Sequence, residues 1–249
     1  MLTNFREEDQ DIQPDARSRG EIPKSFLTLP ALIETLPEEW VEQLLAEEDI
    51  HSVGGFSLIF GDLRPGRQGL GVLSNRTANI EDITWLAKSG GEVHGLSNAL
   101  FEDQGWPKVV DGKRLLKEAL EESFEKRESD EQLLARLFDV LSHDSLPERK
   151  EGQTWPAYSR ELRRSILIPP IGGSSEAGVA NKEGESSGAN YVSEGAKSLY
   201  ATQKQTVILV DHNGHVKFVE RTLFDDRGRM IPPSLRDHVV EFQIVEWEK

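Results

Sequence analysis

The chain contains no cysteine. A disulfide framework, a thiolate metal site and a cysteine nucleophile are therefore excluded within these residues. Positive charge is scarce: 29 lysines and arginines stand against 44 aspartates and glutamates, a formal net charge of −15. Nucleic-acid binding needs a basic face that releases phosphate counterions, so that class is excluded. Docking on anionic lipid through charge alone is excluded for the same reason. Long apolar runs are missing as well. The longest, Val207–Val210 and Ile166–Ile168, fall far short of the ~20 residues needed to cross a bilayer, so no integral membrane segment is expected. The opening Met1-Leu2-Thr3-Asn4-Phe5-Arg6-Glu7-Glu8-Asp9 has no apolar signal core and is too acidic for a transit peptide. These absences predict a cytoplasmic protein. No internal repeat is visible, and 249 residues suit a single domain spanning 1–249.

What is present is patterned. Pro37 with Glu38 and Glu39 marks a helix start, with Trp40, Val41, Leu44 and Leu45 on one face. Phe56–Phe60 and Leu70–Asn75 read as two strands of a hairpin around Pro65-Gly66, and Val93–Leu96 as another short strand. Asp111 caps an expected helix through Lys126 whose apolar face is Leu115, Leu116, Ala119, Leu120 and Phe124. Ser129 with Gln132 forms a capping-box pattern before Leu133, Leu134, Leu137, Phe138 and Leu141, completing an acidic helical hairpin. Ser165–Ile168 returns to strand. Residues 172–197, rich in glycine, serine, alanine and glutamate, predict a disordered insertion. Asn213-Gly214 between Thr206–Val210 and Val216–Arg221 is a strong hairpin signal, and Val239–Trp247 alternates as a final half-exposed strand. Strands, two helices, then strands suit a layered α+β sandwich with outer helices.

Candidate chemistry is sparse. Asp211, His212 and His215 surround the Asn-Gly turn and read better as a polar turn than as metal ligands. The Gly54-Gly55 and Gly172-Gly173 pairs lack the lysine and spacing of a phosphate loop. His94 is expected to be packed or hydrogen-bonded, and Trp106-Pro107 either anchors packing or lines a groove. Asn98 ends the Gly95-Leu96-Ser97-Asn98 segment, where its amide can donate to a ligand oxygen or simply form a turn.

Several segments in order resemble the NRDE family, also called the transport and Golgi organisation protein 2 family. They are Leu2-Thr3-Asn4-Phe5-Arg6-Glu7, Ser18-Arg19-Gly20-Glu21 with Phe26-Leu27, Gly55-Phe56-Ser57-Leu58 with Gly61-Asp62-Leu63, and Ser74-Asn75-Arg76. Gly95-Leu96-Ser97-Asn98, Trp106-Pro107-Lys108-Val109 with Gly112-Lys113, and Gln205–Asp211 leading to Phe218–Thr222 continue the order. The resemblance implies an N-terminal-nucleophile-like αββα sandwich of antiparallel sheets. It implies a role in Golgi organisation, protein secretion, and haem or lipid homeostasis.

The departures shape the functional expectation. The family opens with Met-Cys and carries Asn-Arg-Asp-Glu after its first strand; neither occurs here, so an N-terminally incomplete domain lacking its opening strands is expected. The family's Tyr-Gly-Thr-Arg segment reads Tyr200-Ala201-Thr202-Gln203, an amide in place of a guanidinium. The resemblance leaves Asn4, Asn98 and Gln203 as ligand-binding candidates and no catalytic set, since the family's activated nucleophile is the terminal cysteine. The expected function is binding of a haem- or lipid-like ligand or a protein partner, without a cofactor, near the Golgi or mitochondria. The alternatives are an amidohydrolase with its nucleophile upstream, and an adaptor presenting the acidic hairpin of residues 112–142.

Overall fold

A computed structural model describes residues 1–5, 18–28, 37–47, 50–172 and 199–247. The chain divides into two units, residues 1–113 with 246–249, and residues 114–245. Among the described residues it is a mixed α+β protein with two antiparallel sheets and five α-helices. No described helix is long and apolar enough to cross a membrane. Of the expected insertion at 172–197, all but Gly172 lies outside the described residues.

The first unit holds α1 (Glu21–Leu27), α2 (Pro37–Leu45), β1 (Leu2–Asn4), β2 (Phe56–Asp62), β3 (Gly69–Ser74) and β4 (Thr84–Leu86), the sheet running β1-β2-β3-β4. The predicted β2–β3 hairpin is present, with Leu58 opposite Leu73 and Phe60 opposite Gly71. Phe56, Leu58 and Phe60 alternate onto the face that meets the helices. They form a core with Ile22 of α1 and Trp40, Val41 and Leu44 of α2, the helix residues that sequence spacing singles out. Burying each such side chain contributes roughly 1.5–3 kcal/mol. Phe26, Trp40 and Phe60 meet at tilted and edge-on angles with centroids 4.9–6.1 Å apart.

The second unit takes in most of α3 (Pro107–Lys126), with α4 (Asp130–Leu141), α5 (Trp155–Tyr158), β5 (Lys204–Val210), β6 (His215–Thr222) and β7 (Asp237–Gln243). The capping box at Ser129 forms as expected: its Oγ accepts from the Gln132 N–H, and Gln132 Oε1 accepts from the Ser129 N–H. Leu137 and Phe138 of α4 pack on Val207 and Val219 of the β5-β6-β7 sheet. The Arg221 guanidinium stacks over Phe138 at 3.8 Å. The Asn213-Gly214 turn closes β5 onto β6, with Gly214 at φ +78, where a side chain is disfavoured.

Five sequence expectations are corrected. Helix α3 starts at Pro107, not Asp111, because proline suits the first helical position. Its buried residues are Val109, Ala119 and Ser123, and the expected Leu116 packs partly buried against the core, while Leu120 is 40 % and Phe124 85 % exposed. The expected apolar face was too wide for one packing contact. Val93–Leu96 is irregular: the Gly95 carbonyl accepts from the Gln104 side chain, not from a strand. Ser165–Ile168 is irregular too. There Ser165 Oγ accepts from the Ser145 N–H and the Ile168 N–H donates to Thr202 Oγ1, while the Leu167 N–H donates to the His143 carbonyl and the Ile168 carbonyl accepts from the Thr202 N–H, so the stretch divides its bonds between two segments and forms no continuous ladder. Finally, β7 is Asp237–Gln243 and exposed along its whole length, not half-exposed, because among the described residues the α4 core cluster takes in β5 and β6.

Candidate functional site

Two of the three resemblance-derived residues, Asn4 and Asn98, meet at one end of the first unit's sheet. Strand β1 lies against β2 with Leu2 opposite Leu58 and Asn4 opposite Phe56. Beyond it, the Phe5 N–H donates to the Gly55 carbonyl at 3.0 Å, and Arg19 Nη1 donates to the same oxygen at 2.9 Å. Gly55 is required here by close approach. A Cβ at that position would lie 2.5 Å from the Phe5 ring and 2.7 Å from its carbonyl oxygen.

The Asn98 side chain closes the site. Its Nδ2 donates to the Asn4 carbonyl at 2.8 Å, joining residues 94 apart in sequence. The neighbouring Ala99 carbonyl accepts from Ser57 Oγ at 3.0 Å, and Ser57 is fully buried on β2. The loop carrying Asn98 is held from its other side. Gly95 lies against Val109 and Lys113 of α3, where an added Cβ would meet Val109 at 3.0 Å. Gln104 donates to the Gly95 and Phe101 carbonyls and accepts from Lys113 Nζ at 3.2 Å. Trp106 Nε1 donates to Asp103 at 2.8 Å, which makes Trp106 an anchor of this loop. Two well-anchored segments thus fix one backbone contact.

Asn4 and Asn98 are both exposed. An amide nitrogen has two N–H groups, and Asn98 spends one on Asn4. Among the described residues the Asn4 amide has no partner. The pair therefore presents donors to solvent that suit a carboxylate or carbonyl oxygen. Lys108, stacked on Trp106 at 5.4 Å, has its ammonium pKa lowered by burial. Gln203 is not part of this cluster's hydrogen bonding: it lies in the second unit, and its amide donates to the Phe224 carbonyl at 3.4 Å.

Other candidates resolve into local structure. Asp211 accepts from the His215 and Asn213 N–H groups at 2.9 and 2.8 Å, which holds its carboxyl below the usual range and makes it a turn residue. No group of three or more potential metal ligands forms among the described residues. His94 lies in a loop, not a strand, with Nε2 2.8 Å from Glu92. A cleft of about 310 Å³ is lined by Pro37, Glu38, Asp62 and Gly66–Gly69, and none of the expected site residues borders it.

Sequence reasoning missed Ser57, Gly55 and Asn75 as positioning residues. Asn75 is buried, its Oδ1 accepts from the Phe56 N–H, and its carbonyl accepts from His51 Nδ1 at 2.8 Å. A buried polar residue leaves no mark in a hydropathy pattern; only the Ser74-Asn75-Arg76 segment of the resemblance touched it.

Comparison with known proteins supplies the family. The family described as Transport and Golgi organisation 2 matches residues 1–225, a span that runs through both units. The mouse protein named Transport and Golgi organization 2 homolog is 31 % identical over 225 residues, covering 90 % of this chain and 68 % of its own. The Bos taurus protein named Transport and Golgi organization protein 2 homolog is 32 % identical over 224 residues, covering 89 % and 67 %. The Homo sapiens protein of that name is 30 % identical over 224 residues, covering 90 % and 68 %. The chain belongs to the transport and Golgi organisation 2 family.

Proposed function

We propose that this chain serves transport and Golgi organisation, the roles for which its relatives are named, by binding rather than by bond cleavage. Its ligand is an apolar molecule bearing a carboxylate or carbonyl, of the haem or lipid class. The supporting observation is the Asn98–Asn4 contact, in which the Asn98 side-chain amide is held against the Asn4 backbone carbonyl at the end of β1 and both residues are exposed. Two amide donors converging on one oxygen-rich group give orientation without a metal or a nucleophile. Residues 1–249 acting as one family domain, and a cytoplasmic location at the Golgi or mitochondria, belong to the same reading. So does the N-terminal-nucleophile-like αββα class. Each unit taken alone offers an antiparallel sheet with helices packed on it, as one half of such a fold requires.

Titration calorimetry with haemin and with oleate tests the proposal. Saturable binding to the native chain is expected, weakened about tenfold by Asn98→Ala, which corresponds to one lost hydrogen bond to a charged group of about 1.4 kcal/mol. Gln203→Ala should bind more nearly like the native chain. Equal affinity for native and Asn98→Ala chains would overturn the assignment.

A further inference from the structure

Strand β7 is the outer strand of the second unit's sheet, and all seven of its residues are exposed. Its hydrogen-bonding polarity follows from its neighbours. The Thr222 N–H donates to the Arg236 carbonyl and the Ile244 N–H to the Gly214 carbonyl. In an antiparallel ladder such bonds recur at every second residue. The even-numbered residues of β7 therefore bond to β6, while Asp237, Val239, Glu241 and Gln243 turn their N–H and C=O groups outward. Among the described residues no strand meets this edge.

Natural edges are blunted by proline, lysine or a bulge. None occurs in Asp237–Gln243, whose register with β6 is unbroken. The two carboxylates of the strand are already held by its own sheet: Asp237 by Arg221 at 2.8 Å and Glu241 by Lys217 at 3.2 Å. The strand also continues an apolar row, since Ile208, Phe218 and Val240 stand side by side on one face. Ile208 is 58 % and Val240 39 % exposed.

We infer that this edge docks a second copy of the chain, β7 against β7, antiparallel and centred on Val240. In that register Val240 faces the second copy's Val240, His238 faces its Phe242 and Asp237 faces its Gln243. Every residue of the strand finds an opposite. Centring on Val239 instead would set Asp237 against the second copy's Glu241, and like charges directly opposite are unfavourable. Pairing at Val240 carries the apolar row across the seam from Ile208 to the second copy's Ile208. A six-stranded sheet results, within the usual range. Because each copy carries a charge of −15, association strengthens with added salt. The strand lies beyond residue 225, where the family match ends, so the inference stands apart from the binding function.

The absence of cysteine makes the register testable. Val240→Cys places a single thiol at a closely spaced, non-hydrogen-bonded pair on the new seam, a geometry that accepts a disulfide. With oxidised glutathione as the oxidant, it should form a covalent dimer, whereas Leu235→Cys, an exposed residue outside the strand, should not. Sedimentation of the native chain should show mass rising toward twice the monomer with concentration and salt. Hydrogen exchange should show the Val239 and Glu241 amides gaining protection on dimer formation while Val240 and Phe242 stay unchanged. Val239→Pro removes one outward N–H and leaves the β6 ladder intact, so it should stay monomeric with a native-like thermal midpoint. A concentration-independent monomer, a dimer with unprotected Val239 and Glu241 amides, or equal cross-linking of both cysteine variants would overturn the inference. Capture of an unrelated extended peptide by a chain that stays monomeric would also overturn it.

Discussion

Substituting Gly55 by alanine probes the anchor of the proposed site. The new methyl would sit 2.5 Å from two carbons of the Phe5 ring and 2.7 Å from the Phe5 carbonyl oxygen. The ring can swing away, but the carbonyl belongs to backbone that Phe5 ties to Gly55 through a 3.0 Å hydrogen bond. Relief therefore breaks that bond, at about 1 kcal/mol. The overpacking itself costs about 1–3 kcal/mol. The combined loss of about 2–4 kcal/mol lowers the thermal midpoint by ~5–15 °C at this chain length. Circular dichroism melting measures it, and two other glycines calibrate it. Gly90→Ala meets nothing within 4 Å and should leave the midpoint within a degree or two. Gly66→Ala also meets nothing, but its φ of +79 should cost about 1–2 kcal/mol from conformation alone. A Gly55→Ala chain as stable as Gly90→Ala would refute the close approach of β1 and with it the placement of Asn4.

Ser57→Ala strands the Ala99 carbonyl without its buried donor, so a loss of about 1–3 kcal/mol is expected in denaturant unfolding. Phe138→Ala should cost about 3–5 kcal/mol because Phe138 is 2 % exposed and carries the Arg221 stack. Phe124→Ala on α3, at 85 % exposure, should stay within about 0.5 kcal/mol by the same assay. Hydrogen bonds from Ser89 and then His94 lower the Glu92 pKa to about 2. Its stabilising contribution is therefore present above the unfolded value of about 4.3 and is lost as pH falls toward the folded value. A carboxyl carbon NMR titration checks this, and a Glu92 midpoint near 4 would be the contrary result.

What could be read from sequence was local. The Ser129 capping box and the Asn213-Gly214 turn each satisfy their own backbone within four residues, and both form as read. The Trp40, Val41 and Leu44 face was legible because one helix stripe meets one core. Val93–Leu96 misled because β-prone residues form a strand only where a backbone partner exists, and Gln104 supplies a side chain instead. Strand β4, three residues long, carries too little pattern to be seen. Gly55 looked like chain punctuation, although its role is to admit Phe5 from 50 residues away. The Asn98–Asn4 contact lay beyond any window of periodicity; the ordered family segments pointed to the two residues but not to their meeting.

In the proposed site the side-chain amides of Asn4 and Asn98 receive a carboxylate-bearing apolar ligand. Side-chain amide NMR of the native chain during addition of oleate tests it most directly, with Asn4→Ala and Asn98→Ala used to assign the two resonances. Both amide protons should move downfield along one saturation curve. Saturable binding that leaves the Asn4 and Asn98 amides unmoved would contradict it.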